Sequence, residues 1–282
     1  MQEESSRIKV LITGAYGLIG NLVYARLAEQ PGSYEAYGLA RTMGPSARAE
    51  SINLYAIPAG RLHLADVSDF GAVQRAVEGM RVVVHLAADP DGRAGWESVL
   101  KNNIIGAHTI FEACRLAGVK RVIYASTNQV VFGYTADERY KALFAKPLGE
   151  SASEALPPLD HTLPTRPLNA YACSKVFGEA LAHMYAYTHG LSCICLRIGW
   201  VVPGDRAPNP RAQRLWCSQR DIVQLVERCI HAPDSLRFDV FFGQSDNRHN
   251  LVDIQHAKDV LGYSPQDRAE DHLIGQEVMK IG

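Results

Sequence analysis

Arg7-Ile-Lys-Val-Leu-Ile12, followed at once by Thr13-Gly14-Ala15-Tyr16-Gly17-Leu18-Ile19-Gly20, is the stretch that decides the fold. A short β-branched run ends in three glycines, and a helical pattern runs from Leu18 to Gln30 and stops at Pro31-Gly32. In such a strand–turn–helix, Gly14 makes the tight turn, Gly17 lets backbone N–H groups approach a pyrophosphate, and Gly20 lets the helix pack on the sheet. The pyrophosphate would rest on the helix N-terminus, with Tyr16, Leu18 and Ile19 beside it. The spacing is G-x-x-G-x-x-G, not the commoner G-x-G-x-x-G. Chance glycines would read the same, but the strand before and the helix after favour a dinucleotide.

Working outward, apolar strand-like runs alternate with helical ones. Strands are expected at Tyr34–Ala40, Arg61–Ala65, Arg81–Leu86, Lys120–Ala125, Leu191–Ile198 and Arg237–Phe242. Helices are expected at Asp69–Gly79, Glu97–Ala117, Asn169–His189, Gln219–His231 and Asp253–Leu261. Such alternation gives a parallel sheet covered on both faces. The expected fold is α/β, a Rossmann-type doubly wound sheet with a small C-terminal substrate-binding cap. Residues 1–282 read as one unit, 1–198 mainly dinucleotide-binding and 199–282 mainly substrate-binding. Thr127 to Pro167 breaks the pattern, and its five prolines suggest a functional or poorly ordered connection.

Lys plus Arg is 29 and Asp plus Glu 30, a net charge of -1. That balance argues against a general nucleic-acid binder or a polybasic membrane-surface protein. No apolar run is long enough to span a bilayer, and the polar start lacks a secretory signal. Six cysteines without a C-x-x-C pair read as reduced thiols in a cytoplasm. The ten histidines show no metal-ligand spacing, so no metal site is expected.

About 20 residues beyond the glycines, an NAD site would place an acid on the adenosine 2′-hydroxyl. The sequence there is Gly38-Leu39-Ala40-Arg41-Thr42, with no carboxylate. Arg41 can instead pair with a 2′-phosphate, which favours NADP while leaving NAD possible; a solvated surface arginine is the plain alternative. Asp66 and Val67 end the third strand, where a carboxylate can accept from the adenine amino group. Leu86, Ala87 and Ala88 end the fourth and leave room for the cofactor, as does Ile198 at the end of the sixth.

Tyr171-Ala-Cys-Ser-Lys175 lies inside an expected helix, so the phenol and the ammonium share a face. At about 4 Å and an effective dielectric near 20 the attraction is of order 4 kcal/mol, roughly three pKa units at most. That brings a phenol toward neutrality, where it works as a general base.

These residues carry a resemblance. Thr13–Gly20, His85-Leu-Ala-Ala88, Asn102-Asn-Ile-Ile-Gly106, Tyr124-Ala-Ser-Thr127 and Tyr171–Lys175 resemble the extended short-chain dehydrogenase/reductase superfamily, the NAD-dependent epimerase/dehydratase family. Asp253–Pro265 is similar to its C-terminal signature. Trp96–Gly106, Ala125–Asn128 and Arg211–Asp221 are similar to its uronate dehydrogenase and archaeal NAD-dependent glucose-6-phosphate dehydrogenase branch. The resemblance implies oxidation of the C1 hydroxyl of a sugar, sugar acid or sugar phosphate to a lactone. It implies Tyr171 as base, Lys175 on the nicotinamide ribose and Thr127 on the reacting oxygen. Asn103 falls on the family's asparagine at the cofactor, while Asn128 and Arg211 fall on substrate contacts.

The chain departs from the branch at Trp200, Pro90, Gln129 and the acid-free Ala40-Arg41 pair, and its insert from Thr135 to Pro164 is longer. A nucleotide-sugar epimerase, dehydratase or reductase is the main competitor, disfavoured by the short C-terminal part and by Trp200. A non-catalytic NADP-binding regulator is the third reading, disfavoured by the intact Tyr–Lys pair. The two long helices carry apolar residues beyond one core face, which with the resemblance implies a homodimer.

Overall fold

The computed structural model describes residues 7–46, 49–50, 53–138, 140–141, 157–207 and 209–272, without the side chains of 210 and 211. Much of the insert expected at 135–164 lies outside these residues.

Seven parallel strands form one sheet in the order β3-β2-β1-β4-β5-β6-β7. They are β1 (Ile8–Thr13), β2 (Tyr34–Ala40), β3 (Leu62–Leu64), β4 (Val82–His85), β5 (Arg121–Thr127), β6 (Ser192–Ile198) and β7 (Phe238–Gly243). The doubly wound sheet expected from the alternation is present, and its order reverses between β1 and β4. In such sheets ligands bind outside the carboxyl ends of the strands at that point.

Burial on both faces explains why the central strands are almost wholly apolar. One face packs under α1 (Leu18–Ala28) and the late helix Gln219–Ile230. The other packs under α2 (Phe70–Val77), α3 (Gly106–Leu116) and α4 (Ala170–His189). We call Gln219–Ile230 α5 and the short Gln255–Leu261 α6. Local chemistry sets the helix ends. Asp69, Asn169 and Ser218 side chains accept from Ala72, Ala172 and Asp221 N–H groups at the starts of α2, α4 and α5. Both β7 and α5 lie past residue 198 yet are built into the sheet and its covering layer.

The helix expected at Glu97–Ala117 is not uniform. Val99–Ile105 winds as a π-helix before α3 begins. The wider turn brings Asn103 inward to 2% exposure, where it exchanges bonds with the Asp89 backbone. π-turns of this kind recur at functional sites. The patternless stretch opens after β5 with a 3-10 run, Asn128–Ala136, clamped by Gly133 N–H to Arg166 O and Arg166 N–H to Val130 O.

Candidate active site

Gly14 sits at φ +71°, a backbone region that L side chains rarely adopt. A Cβ there would also meet the Ala87 backbone N at 3.0 Å. That close approach is arranged by Thr13. Its hydroxyl accepts from the Leu86 and Ala87 N–H groups at 3.2 and 3.1 Å. With both acceptor sites used, it donates to His85 Nδ1 at 2.8 Å. Burial, then the Lys175 charge, depress His85 to about 3, so the ring is neutral and accepts this bond. The result holds Leu86-Ala87-Ala88 tightly across the glycine turn.

α1 starts at Gly17 with no side-chain cap, so its first N–H groups are left for a ligand. A Cβ at Gly20 would overlap the Gly14 carbonyl oxygen. The uncapped helix start and the glycines at both ends of the turn fit a pyrophosphate. Tyr16 and Leu18 are buried and Ile19 half-buried around this turn.

Toward the adenosine end, Arg41 follows β2, is exposed, and reaches Asn102 Oδ1 at 3.3 Å. Asp66 is bonded by the Ser68 N–H and hydroxyl and by Lys101 at 2.9 Å. Burial raises its carboxyl, but these donors outweigh it and bring it down to about 2. Val67 lies against Gly106, and Asn103 Nδ2 donates to Ser174 Oγ at 3.0 Å, tying the π-turn to α4.

Lys175 Nζ donates to the Ala125 carbonyl of β5 at 2.8 Å and lies 5.8 Å from the Tyr171 ring centre. That one bond sets the level of α4 on the sheet. From Lys175 back to Tyr171 is one helical turn, about 6 Å. From Ala125 on to Thr127 is two strand residues, about 6.6 Å. A crossover helix runs against its strand, so Tyr171 lies on the carboxyl-edge side of Lys175, toward the end of β5 that carries Thr127. Tyr171 is 8% exposed and Thr127 5%, and Ile198 pairs with Thr127 in the next strand.

Burial pulls Lys175 from 10.5 down to about 7. The folded chain holds this proton only below about pH 7, whereas the unfolded chain holds it up to about 10.5. Unfolding between those values takes up a proton, so this group makes stability rise with pH across that window. Lys175→Met is therefore expected to unfold at a higher temperature than wild type at pH 6.5, with the advantage lost by pH 10. Equal differences at both pH values, read by thermal denaturation, would show that the amine is not desolvated.

Beneath the pair lies a buried ion pair. Glu179 of α4 accepts from Arg197 Nε and Nη2 of β6, both at 2.9 Å, and from Ser126 Oγ of β5 at 2.6 Å. The Arg197 and Glu179 side chains are 5% and 9% exposed. Nearby, α4 comes so close to β5 that a Cβ at Gly178 would overlap the Tyr124 phenol. Sequence reasoning missed Glu179 and Arg197, which read as ordinary charges on a helix and a strand.

Asn128 is fully buried just after Thr127, with neither amide atom hydrogen-bonded. Arg211 belongs to the short helix Pro210–Gln213, and its side chain lies outside the described residues. Trp200 is half-buried and bridges to the Trp216 backbone. Away from this site, His161, Asp239 and His256 bring ligand-type atoms together. The two imidazoles stack at 3.7 Å and 7°, so their in-plane lone pairs run parallel rather than converging, and His256 already bonds Asp239.

With the glycine turn, the Tyr–Lys pair and the parallel sheet in place, residues 10–218 match the NAD dependent epimerase/dehydratase family. The chain belongs to that family. The NAD-dependent glucose-6-phosphate dehydrogenase of Haloferax volcanii is 33% identical over 263 residues, 93% of this chain and 94% of the relative. The L-arabinose 1-dehydrogenase (NAD(P)(+)) of the same organism is 30% identical over 273 residues, covering 93% and 97%. Among solved structures, a mutant uronate dehydrogenase from Agrobacterium tumefaciens complexed with NAD is 30% identical at a TM-score of 0.73, covering 94% and 87%. These relatives of the family member are dehydrogenases of a sugar phosphate, a sugar and a sugar acid that use NAD or NAD(P), in line with the branch expected from the sequence.

Among the described residues of this family member, no helix is long and apolar enough to cross a membrane. Its six cysteines are unpaired thiols, and only Cys173 is exposed.

Proposed function

We propose that the chain is an NAD(P)-dependent dehydrogenase that oxidises the C1 hydroxyl of a cyclic sugar, sugar acid or sugar phosphate to the lactone. The observation that carries this reading is the Lys175–Ala125 bond, which ties the turn of α4 that carries Tyr171 to the strand that ends in Thr127. When bound, the nicotinamide cofactor supplies the hydride acceptor. Thr127 holds the C1 oxygen by its hydroxyl. Tyr171, as phenolate, takes the C1 hydroxyl proton, and Lys175 stabilises that phenolate and contacts the nicotinamide ribose. The glycine turn, with Leu86, Ala87, Ala88 and Ile198, holds the rest of the dinucleotide. Asn128 and Arg211 anchor the sugar away from C1, so that its C1 hydrogen is held in one direction. The segment after residue 198 supplies most of the sugar side.

The test is a scan of NAD+ and NADP+ reduction against glucuronate, galacturonate, hexose 6-phosphates and L-arabinose. Growth of the reduced-nicotinamide absorbance with a free sugar supports the reading. Conversion of a UDP-sugar without net reduction, or cofactor binding with no turnover on any sugar, overturns it.

The finer cofactor reading is NADP preference. Arg41 is exposed where an NAD site carries an acid, and among the described residues it bonds a neutral amide, Asn102. Arg41→Ala is expected to raise KM for NADP+ about tenfold or more and to leave NAD+ little changed, since a charge-assisted contact exists only with the 2′-phosphate. An unchanged NADP+ KM in a coenzyme titration removes the assignment.

We also read the chain as a cytoplasmic homodimer. Ile105, Leu116, Phe177, Met184 and Tyr187 are exposed apolar residues on the π-turn, α3 and α4, an unusual concentration for two covering helices. A sedimentation mass of one chain would remove the dimer.

A further inference from the structure

Among the described residues, two side-chain amides are fully buried with no hydrogen-bond partner at either polar atom: Asn128 and Gln244. Buried amides are almost always paired, so two orphans at one edge of the sheet call for a ligand or water that satisfies them. Their placement is related. Thr127 pairs with Ile198, and Ile198 with Gly243. One residue further along the chain come Asn128, Gly199 and Gln244, which follow the carboxyl ends of β5, β6 and β7. The residue between the two amides has no side chain. A Cβ at Gly199 would meet Gln244 Cγ at 2.9 Å and overlap the Leu215 carbonyl oxygen. Gln244 is held by its backbone, whose carbonyl accepts from the Tyr263 hydroxyl at 2.9 Å. Its amide is therefore presented by a fixed strand end and left for something else.

We infer that Gln244 forms a hydroxyl-reading subsite, binding a ring hydroxyl of the sugar remote from C1. The inference rests on the sugar-dehydrogenase reading above and extends it. A neutral amide both donates and accepts, as does a sugar hydroxyl, whereas a carboxylate or phosphate would leave the amide oxygen facing negative charge. Two strand spacings, about 9.5 Å, separate Gln244 from the strand that carries Thr127, so it is the far side of the ring that it reads. Trp200, next after Gly199, brings an apolar ring to the same edge.

Gln244→Met tests this, since methionine keeps the length and shape and deletes both polar atoms. With no protein partner to lose, the variant should unfold at or above the wild-type temperature. On the best substrate of the scan, kcat/KM should fall about tenfold or more. The 2-deoxy sugar, altered beside C1, should keep that penalty. On the 3-deoxy or 4-deoxy sugar, variant and wild type should converge. Unchanged kcat/KM on every sugar, at an unchanged melting temperature, would show that the amide is merely hydrated and overturn the subsite. Equal losses on all sugars, including both remote deoxy sugars, would overturn it in favour of a structural role.

Failure of the dehydrogenase reading looks different. If wild type with saturating NAD(P)+ reduces no cofactor, tryptophan fluorescence is titrated with D-glucose 6-phosphate, D-glucuronate and L-arabinose. Saturation of wild type but not of Gln244→Met keeps the subsite and discards the reaction. Identical curves for the two proteins, or no binding by either, discard the subsite.

Discussion

Tyr171→Phe is expected to lower kcat by about 10²- to 10⁴-fold, the usual worth of a positioned general base, while KM for the sugar changes little. The C1 hydroxyl proton would have no acceptor. Lys175 is turned away from the role, toward the strand rather than the substrate side. Its Nζ is bonded to the Ala125 carbonyl, and the side chain is 4% exposed. Thr127 is a hydroxyl, far too weak a base at neutral pH. The phenyl ring keeps the packing of the tyrosine, so cofactor affinity should survive, which a fluorescence titration with NAD+ would establish alongside steady-state kinetics. A fall in kcat of less than about tenfold would place the base on another residue.

The second large effect is on stability. Glu179→Ala is expected to cost about 3–5 kcal/mol, because it strands a buried guanidinium. Arg197 would lose both of its charge-assisted bonds to the carboxylate, and the Ser126 hydroxyl would lose its acceptor. At 5% exposure the Arg197 side chain has little access to water as a replacement. The double variant Glu179→Met with Arg197→Met should be closer to wild type than the single one, since it removes the stranded charge as well as the bond. Urea denaturation decides it. A loss below about 1 kcal/mol in Glu179→Ala would mean that the pair is solvated.

Comparing the residues with the fold shows which features a sequence can announce. The glycine turn was legible because strand, turn and helix are contiguous and each has its own periodicity. Tyr171 and Lys175 were legible because four residues place two side chains on one helical face. Their level on the sheet was not, since it rests on a bond from Lys175 to a carbonyl 50 residues earlier. The same holds for the buried triad, in which Glu179 meets Ser126 across 53 residues and Arg197 across 18. The π-turn at Val99–Ile105 left no compositional mark, because it depends on Asn103 being drawn toward Asp89 and Ser174. Gln244 gave no signal because its distinction is the lack of a partner, which only packing reveals.

Codon 178 has little room to drift. The tyrosine phenol already occupies the space that any first side-chain carbon would need there. Missense alleles at that position would prise α4 away from β5. Lys175 lies three residues ahead on the same helix and would be carried off its carbonyl anchor. Such alleles should behave as catalytic nulls in a population, although the altered residue never meets substrate.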